Sequence, residues 1–453
     1  MTAFRHELRA LFTLAWPATV TQVGLMLTMV VDTMVVARLG ATPLAAAALA
    51  HMWMWSTLSL GVGAVMGTDP MISQAHGRGD GQAAALALQR GVVVALLTSV
   101  PICIAVALTG PALSLLGQPP EVAALAARYN LLRLPMVPCF LLFSTLRLFL
   151  QARGRMGPAT ALIYVANVIN ALLAWGLVFG ELGMPRLGFD GAAIAGTVTA
   201  AFELLGLIAT ISWLGLARGA ERPWDRASFS PAGIASVLRI GAPVALQMWL
   251  EAFAFTFASF MVGWISVEAI GAHQITLNLA SLTFMVPLGV SMGASARVGN
   301  LIGAGDVAAM RGAVRVALIA GIGVMAFSAL GFTVLRAELP RLYTTDVAVI
   351  ALAAQILPLA AAFQLSDGAQ VVAGGVLRGM GRPNAAALAN LLGYYALGLP
   401  LGYALAFWLD LGLRGIWLGL TIGLVAVSIS LLFWVRRTAR RPLGELTVLP
   451  APA

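Results

Sequence analysis

The chain of 453 residues contains an internal repeat: displaced by 226 positions, the sequence comes back into register with itself. The residues that align in this way are Pro17 with Pro243, Gly63 with Gly289, Gly67 with Gly293 and Asp80 with Asp306. A duplication of this length in an apolar chain is typical of secondary transporters, whose substrate sites lie between the repeats. We therefore expect two homologous halves.

The composition places the chain in a membrane. Hydrophobic residues make up 60% of it and charged residues only 10%, where a soluble domain carries roughly 25%. The mean hydropathy is +0.92, and apolar runs long enough to cross a bilayer recur from end to end. These features predict an all-α polytopic membrane protein.

The apolar runs predict about twelve transmembrane helices in two six-helix lobes, related by a pseudo-twofold axis along the membrane normal. Their expected ranges are 11–36, 44–73, 84–109, 121–150, 156–182, 190–217, 236–266, 270–300, 310–335, 346–377, 382–409 and 412–435. The longest polar connection falls midway and is taken as a linker. The predicted domains are an N-lobe (1–217), a cytoplasmic linker (218–235), a C-lobe (236–441) and a cytoplasmic tail (442–453).

The distribution of arginine predicts the orientation. The net charge is +9, and all 27 basic residues other than histidine are arginine. With both termini on one side, that side holds 20 arginines and the other holds 7. The positive-inside rule then places both termini in the cytoplasm. The charge is explained by topology in the cell (inner) membrane, so no nucleic-acid partner is expected.

Three acidic residues within the apolar runs are candidates for function, because an ionised side chain in hydrocarbon costs at least about 2.5–3.5 kcal/mol. Asp32 ends a helical face that also carries Thr28. Glu251 follows Gln247 by four residues, so the two share a face.

The third acid, Asp367, has an amide three residues away on either side, at Gln364 and Gln370. Such spacing presents an amide, a carboxylate and an amide on one side of the helix. A further acid, Glu203, is open to a structural interpretation, in which Arg133 or Arg147 pairs with it.

Catalytic and metal motifs are missing from the sequence. No histidine or cysteine pair has metal-ligand spacing, no nucleophile–base set is recognisable, and the glycine loops lack the lysine of a phosphate-binding loop. An enzyme and a bound cofactor are therefore not expected.

Four segments together resemble the multidrug and toxic compound extrusion (MATE) transporters, and more closely their NorM-like branch. They are Leu14-Ala-Trp-Pro17 through Arg38-Leu-Gly40, Ala272-His273-Gln274-Ile275 through Val286-Pro-Leu-Gly289, Val298-Gly-Asn through Gly305-Asp306, and Leu377-Arg-Gly-Met-Gly-Arg382-Pro383. The resemblance spans about residues 8 to 436.

This resemblance implies a two-lobed antiporter that exports organic, often cationic or amphiphilic, compounds in exchange for Na⁺ or H⁺ by rocking alternating access. It implies an N-lobe coupling site at Asp32 and a C-lobe cation site at Glu251 and Asp367, where Na⁺ is a candidate ligand. It also implies a monomer in the bilayer.

The chain departs from the family pattern at two places. Asn170 matches the first member of a polar pair in the fifth helix, but the second is Ala174. Phe363 stands one turn before the tenth-helix aspartate, where the NorM-like pattern has tyrosine. These departures leave proton coupling as plausible as Na⁺ coupling. The alternative is a flippase for lipid-linked precursors, which would hold a pyrophosphate with cavity arginines, here only Arg133 and Arg147.

Overall fold

A computed structural model describes residues 2–448, in which every regular element is helical. Residues 449–453 of the predicted tail lie outside this range. The helices are α1 (Thr2–Ala37), α2 (Ala41–Val65), α3 (Thr68–Arg78), α4 (Gly81–Ala107), α5 (Thr109–Leu115), α6 (Pro120–Leu132), α7 (Met136–Ala152), α8 (Gly157–Phe179), α9 (Phe189–Trp213), α10 (Pro231–Gly263), α11 (Val267–Gly303), α12 (Val307–Val334), α13 (Val347–Gly379), α14 (Asn384–Asn390), α15 (Leu399–Tyr403), α16 (Gly412–Thr438) and α17 (Leu443–Leu446).

The all-α polytopic fold is confirmed. Within residues 2–448, ten helical stretches are long and apolar enough to cross a membrane, and the bent pair α6–α7 brings the number to eleven. The helix α2 has 25 residues but is not among them. The expected count was about twelve. Large apolar side chains such as Phe327 and Phe433 are exposed on the helices, as is usual for a surface that faces lipid.

Several helix boundaries differ from the expected ones. The first helix begins at Thr2 rather than 11, because no helix-breaking residue precedes its apolar run. The expected helix 44–73 is divided into α2 and α3. The expected helix 121–150 is divided into α6 and α7, with a bend of 52°. Pro135 follows Arg133 and Leu134 at this bend, and proline removes a backbone hydrogen bond there.

The eleventh expected helix, 382–409, is irregular. It is α-helical over α14 and α15. It is π-helical between them, over Leu391–Gly398, and again after α15, over Ala404–Trp408. Glycines of α16 pack directly against this stretch: a Cβ at Gly419 would overlap the backbone of Gly402, and one at Gly423 would lie 2.6 Å from the carbonyl oxygen of Gly393. π-helical turns often occur at functional sites.

The described chain forms two compact units. We call Val20–Ala245 the N-unit, and the residues through Thr19 together with those from Leu246 onward the C-unit. The first part of α1 therefore packs in the C-unit and the first part of α10 in the N-unit. The lobe boundaries at 217 and 236 remain a prediction, since the two long helices pass from one unit into the other.

The repeated glycines explain how these helix ends pack. In the C-unit, a Cβ at Gly289 would overlap Thr19 of α1, and one at Gly293 would lie 2.9 Å from the nitrogen of Ala15. In the N-unit, a Cβ at Gly63 would overlap Ala245 of α10. Small residues four apart allow such close helix contacts in membranes. The Glu7 carboxylate also binds Arg297 with two hydrogen bonds, of 3.0 and 2.7 Å.

Candidate functional site

Three polar side chains form a hydrogen-bonded group inside the C-unit. Gln370 of α13 donates through Nε2 to Oε2 of Glu251 in α10, at 3.3 Å. Asn390, the last residue of α14, donates through Nδ2 to the same oxygen at 3.4 Å. Gln370 Nε2 also lies 3.4 Å from Oδ1 of Asn390. Side chains from three helices thus meet at one carboxylate oxygen.

Asp367 lies one turn before Gln370 on α13 and is buried. Its carboxylate is near enough to that of Glu251 for electrostatic repulsion. Gly368 allows α13 to approach α12 closely, since a Cβ there would lie 2.9 Å from the carbonyl oxygen of Gly321. Asp367 is buried and Glu251 is half-buried. Two neighbouring carboxylates in such surroundings disfavour being charged together, so the pair favours uptake of a proton or a metal cation.

Tyr394 brings a phenol to the same place. It lies in the π-helical stretch and is fully buried, and its hydroxyl has no hydrogen-bond partner. The hydroxyl interacts electrostatically with both carboxylates, those of Glu251 and Asp367. Its ring packs edge-on against Phe255, at 6.0 Å between ring centroids. A buried hydroxyl without a partner is available to a ligand of the site.

Phe363 belongs to the aromatic wall beside this phenol. Its ring lies 5.8 Å from that of Phe255 and 5.9 Å from that of Trp417. A phenylalanine here supplies apolar surface and no oxygen ligand, so the cation would find its donors among the neighbouring carboxylates, amides and phenol.

The other two predicted glutamines point to different neighbours. Gln364 donates through Nε2 to the hydroxyl of Thr283 in α11, at 2.6 Å. Gln247 packs over Gly374 of α13, where an added Cβ would lie 3.4 Å from its Nε2. Gln370 thus reaches Glu251, whereas Gln364 contacts α11 and Gln247 contacts α13. A substrate-lining role for Gln247 and Gln364 remains a prediction.

The N-unit contains a second buried acid. Asp32 of α1 is 2% exposed, and its Oδ1 accepts a hydrogen bond of 2.7 Å from Nδ2 of Asn170 in α8. The Asn170 Oδ1 in turn accepts one of 3.1 Å from the hydroxyl of Thr199 in α9. Ala174, one turn beyond Asn170, is fully buried and contributes no oxygen. The predicted residues Asp32 and Asn170 are thus in direct contact.

Thr28 lies on the same side of α1 as Asp32. Its hydroxyl donates to Oδ1 of Asn167 in α8, and Nδ2 of Asn167 donates to the carbonyl oxygen of Gly24 at 2.8 Å. These bonds hold α1 and α8 together one turn from Asp32. They occupy the Thr28 hydroxyl, so any part it has in substrate binding remains a prediction.

Glu203 lies within electrostatic range of one of the two arginines considered as its partner. Glu203 interacts electrostatically with Arg147 rather than with Arg133. Arg147 also donates through Nη1 to Oε1 of Gln22, at 3.1 Å. Both Glu203 and Arg147 are buried. The arrangement fits the structural interpretation of this acid.

The oxygen atoms around Glu251 are those that a hard cation such as Na⁺ would use. The two carboxylates provide charge, and Oε1 of Gln370 is buried without a partner. No cluster of three or more histidine, cysteine or acidic side chains occurs within the described range. A cation would therefore depend on amide and hydroxyl oxygens beside the two acids.

Sequence reasoning missed Asn390 and Tyr394. A weak signal was present, because both are polar groups inside an expected apolar helix, as Gln364 and Gln370 are. Their relation to Glu251 could not be read from spacing, since it depends on which part of the irregular eleventh helix faces α10.

Comparison with protein-family models gives two matches to the model MatE, at residues 17–175 and 243–404. The two matches begin at the positions that the internal repeat aligns. The probable multidrug resistance protein NorM of Bradyrhizobium diazoefficiens is 33% identical over 445 residues, which are 95% of this chain and 93% of that protein. The multidrug resistance protein NorM of Burkholderia vietnamiensis is 34% identical over 431 residues, 93% and 92% of the two chains.

Solved structures share the fold. The eukaryotic MATE transporter AtDTX14 superimposes with a TM-score of 0.89 at 24% identity, covering 98% of this chain and 100% of that one. The Vibrio cholerae MATE transporter VcmN in its bent form gives 0.87 at 22% identity, covering 98% and 99%.

Proposed function

The chain belongs to the MatE family, in its NorM-like branch, and we propose that it exports organic, often cationic, compounds in exchange for Na⁺ or H⁺. Membership of this family makes the protein a multi-pass membrane transporter and not an enzyme. The names of its relatives, multidrug resistance proteins, support a broad range of small organic substrates. The observation that carries the coupling proposal is the pair of neighbouring carboxylates formed by buried Asp367 and half-buried Glu251.

Competition for charge would couple the two fluxes. When Glu251 and Asp367 are not neutralised, their negative charge attracts a cationic compound. A proton or Na⁺ that reaches the pair removes this charge, and Gln370 and Asn390 can then reorient around the Glu251 oxygen. The affinity for the organic cation falls, and the compound is released.

Alternating access by rocking lobes would carry the site from one side of the membrane to the other. The membrane potential would add about 2.3 kcal/mol for each charge moved across 100 mV. Asp32 in the N-unit would form a second coupling site, in the other half of the chain.

The arginine bias supports an orientation with both termini in the cytoplasm. For a NorM-like protein, the proposed location is the cell (inner) membrane. We propose a monomer as the transporting form.

The flippase alternative has less support. A pyrophosphate-binding cavity needs arginines that are free of acidic neighbours. Here Arg133 interacts with Asp32 and Arg147 with Glu203. Each of these two buried arginines therefore already interacts with a carboxylate.

Efflux of ethidium from proteoliposomes tests the proposal. Purified protein is reconstituted, and a pH gradient and a Na⁺ gradient are imposed separately. We expect acceleration by at least one gradient, and the gradient that accelerates efflux identifies the ion. Correctly inserted protein that responds to neither gradient would refute coupled antiport of this substrate class.

A Glu338→Gln variant provides the matched control. Glu338 is an exposed carboxylate that pairs only with neighbouring Arg341, at 3.0 Å. Its removal deletes one negative charge away from the site, so the gradient response of the control should equal that of the unmodified protein.

A further inference from the structure

Arg133 occupies the bend between α6 and α7. It directly follows Leu132, the last residue of α6. The bend frees the carbonyl oxygen of Leu132, which accepts a hydrogen bond of 3.0 Å from Thr197 of α9. This bond fixes the bend against α9. The Arg133 side chain is 6% exposed, so the bend holds a guanidinium in the interior of the N-unit.

The guanidinium has few partners there. Nη2 lies 3.4 Å from the sulfur of Met136, a weak acceptor. Nε and Nη1 are buried and have no hydrogen-bond partner. The ring of Tyr129 stacks at 5.3 Å from Cζ, and its hydroxyl also lacks a hydrogen bond. Because arginine keeps its charge in proteins, this charge must be balanced by a neighbouring group.

The acidic group that interacts electrostatically with Arg133 is Asp32. A short chain of contacts relates them. A Cβ at Gly196 of α9 would lie 3.5 Å from Arg133 Nη2. Thr199, one turn further on α9, donates to Asn170, and Asn170 donates to Asp32. The guanidinium and the carboxylate thus share one wall of the N-unit.

We propose that Arg133 is a built-in counter-cation of Asp32 that excludes metal cations from the N-unit site. Asp32 can then be neutralised only by a proton. This inference rests on the proposed function, because it specifies which ion the N-unit half of an antiporter accepts.

The donor set supports the exclusion. Na⁺ needs several oxygen ligands and local negative charge. Asp32 supplies one carboxylate, Asn170 Oδ1 already accepts from Thr199, and Ala174 supplies nothing. The fixed positive charge of Arg133 repels a second cation at the same place, whereas a proton adds to the Asp32 oxygen without a coordination shell.

Other groups around this pair do not supply negative charge at neutral pH. Tyr129 of α6 interacts electrostatically with Asp32, and His51 of α2 stacks edge-on against Tyr129 at 5.6 Å. Asn170 and Thr199 are uncharged. Asp32 and Arg133 are therefore the opposite charges that determine what the site accepts.

Thermal unfolding of the purified protein in detergent tests the proposal without transport. NaCl replaces choline chloride at constant ionic strength, at about pH 8, where most carboxylates are deprotonated. The melting temperature is compared between the unmodified protein and Asp32→Asn, so that any Na⁺ binding in the C-unit cancels. We expect the two to respond equally to Na⁺. A response that requires Asp32 would overturn the proposal.

The Arg133→Gln variant should gain a Na⁺ site at Asp32. We expect Na⁺ to raise its melting temperature by a few degrees, and the double variant Asp32→Asn, Arg133→Gln to lose this rise. Arg133→Lys, which keeps the charge, should show no rise in melting temperature with Na⁺. Arg147→Gln, which removes a different buried arginine, should show none either. A gain in Arg133→Lys or Arg147→Gln would overturn the charge argument.

These results are separable from the proposed antiport. Loss of efflux with the expected Na⁺ responses would refute the antiport and leave the role of Arg133 standing. If Arg133→Gln fails to fold, the comparison of the unmodified protein with Asp32→Asn still decides whether the N-unit site excludes Na⁺.

Discussion

The Nδ2 atom of Asn390 lies 3.4 Å from Oε2 of Glu251, and 139 residues separate the two in the chain. The hydrogen bond between Thr28 and Asn167 has the same separation. Both bonds join the first and fifth long helices of a half, and both place an asparagine opposite a polar residue of the first. The halves therefore share a contact between these two helices but differ in charge, since the N-unit bond uses a threonine and the C-unit bond uses Glu251.

Replacing Asp367 with Asn should strongly weaken gradient-driven efflux while leaving the fold intact. Asparagine has nearly the same shape, but the pair with Glu251 then has one charge to neutralise instead of two. We expect coupling to fall by about 5- to 150-fold, the range of usual coupling energies. The measurement is ethidium efflux with and without the gradient, and a normal gradient response would contradict the assignment.

Tyr394→Phe should separate function from stability. The Tyr394 hydroxyl has no hydrogen-bond partner, so its removal should leave the melting temperature unchanged or raise it. The same change should weaken ion-coupled efflux if the phenol serves the carboxylate site.

Tyr395→Phe is the matched comparison for Tyr394. The Tyr395 hydroxyl donates to the carbonyl oxygen of Leu250 at 2.9 Å, and its loss should cost about 1 kcal/mol of stability. We expect its coupling to stay normal. The reverse pattern, with Tyr394→Phe destabilised and still coupled, would assign Tyr394 a structural role.

Gly289→Ala should disturb the packing of α1 in the C-unit. The added methyl group overlaps Thr19, including backbone atoms, so the helix must shift. Overpacking of this kind costs about 1–3 kcal/mol. The melting temperature and the elution profile of the purified protein report it.

Gly323→Ala, in the middle of α12, is the control for this glycine. No atom lies within 4 Å of its added methyl group, and alanine favours the helix by about 1 kcal/mol. A loss of stability as large as that of Gly289→Ala would show that the close contact is not the cause.

His76, near the end of α3, should make the stability of the fold depend on pH. Burial and the nearby Arg153 and Arg155 lower the pKa of His76 below its ordinary value of 6.5. Above that value neither state binds the proton. As the pH falls below it, the unfolded chain binds a proton that the folded protein resists, and stability is lost down to the folded pKa.

We expect His76→Gln to flatten this dependence below about pH 6.5. The effect should be small, because His76 is only partly desolvated and solvent screens its interactions with the two arginines. Melting temperatures between about pH 5 and 8 measure it, with His6→Gln as the comparison, since His6 is an exposed histidine near the N-terminus. An unchanged slope in His76→Gln would refute the prediction.

The sequence was sufficient for features that depend on local pattern. The repeat, the membrane class and the three acids Asp32, Glu251 and Asp367 follow from apolar length and from the cost of charge in hydrocarbon. The contact of Gln370 with Glu251 could be anticipated only as two polar faces on different helices.

Features set by neighbouring helices could not be predicted. The π-helical turns that carry Tyr394 accompany the tight packing of Gly419 and Gly423 in α16. The bend that buries Arg133 depends on Thr197 of α9, whose hydroxyl donates a hydrogen bond to the free carbonyl oxygen of Leu132. In both cases the determining residue is remote in the chain, and periodicity within one segment does not contain it.

The packing of the first part of α1 in the C-unit has a consequence for biosynthesis. The partner of Glu7, Arg297, is synthesised 290 residues after it. The glycines that pack against the first part of α1, Gly289 and Gly293, are also synthesised late in the chain. Until then the amino-terminal turns of α1 have no native neighbour, so the nascent chain cannot complete its halves in the order of their synthesis. A chain stalled before residue 297 should expose this segment to proteases or chaperones.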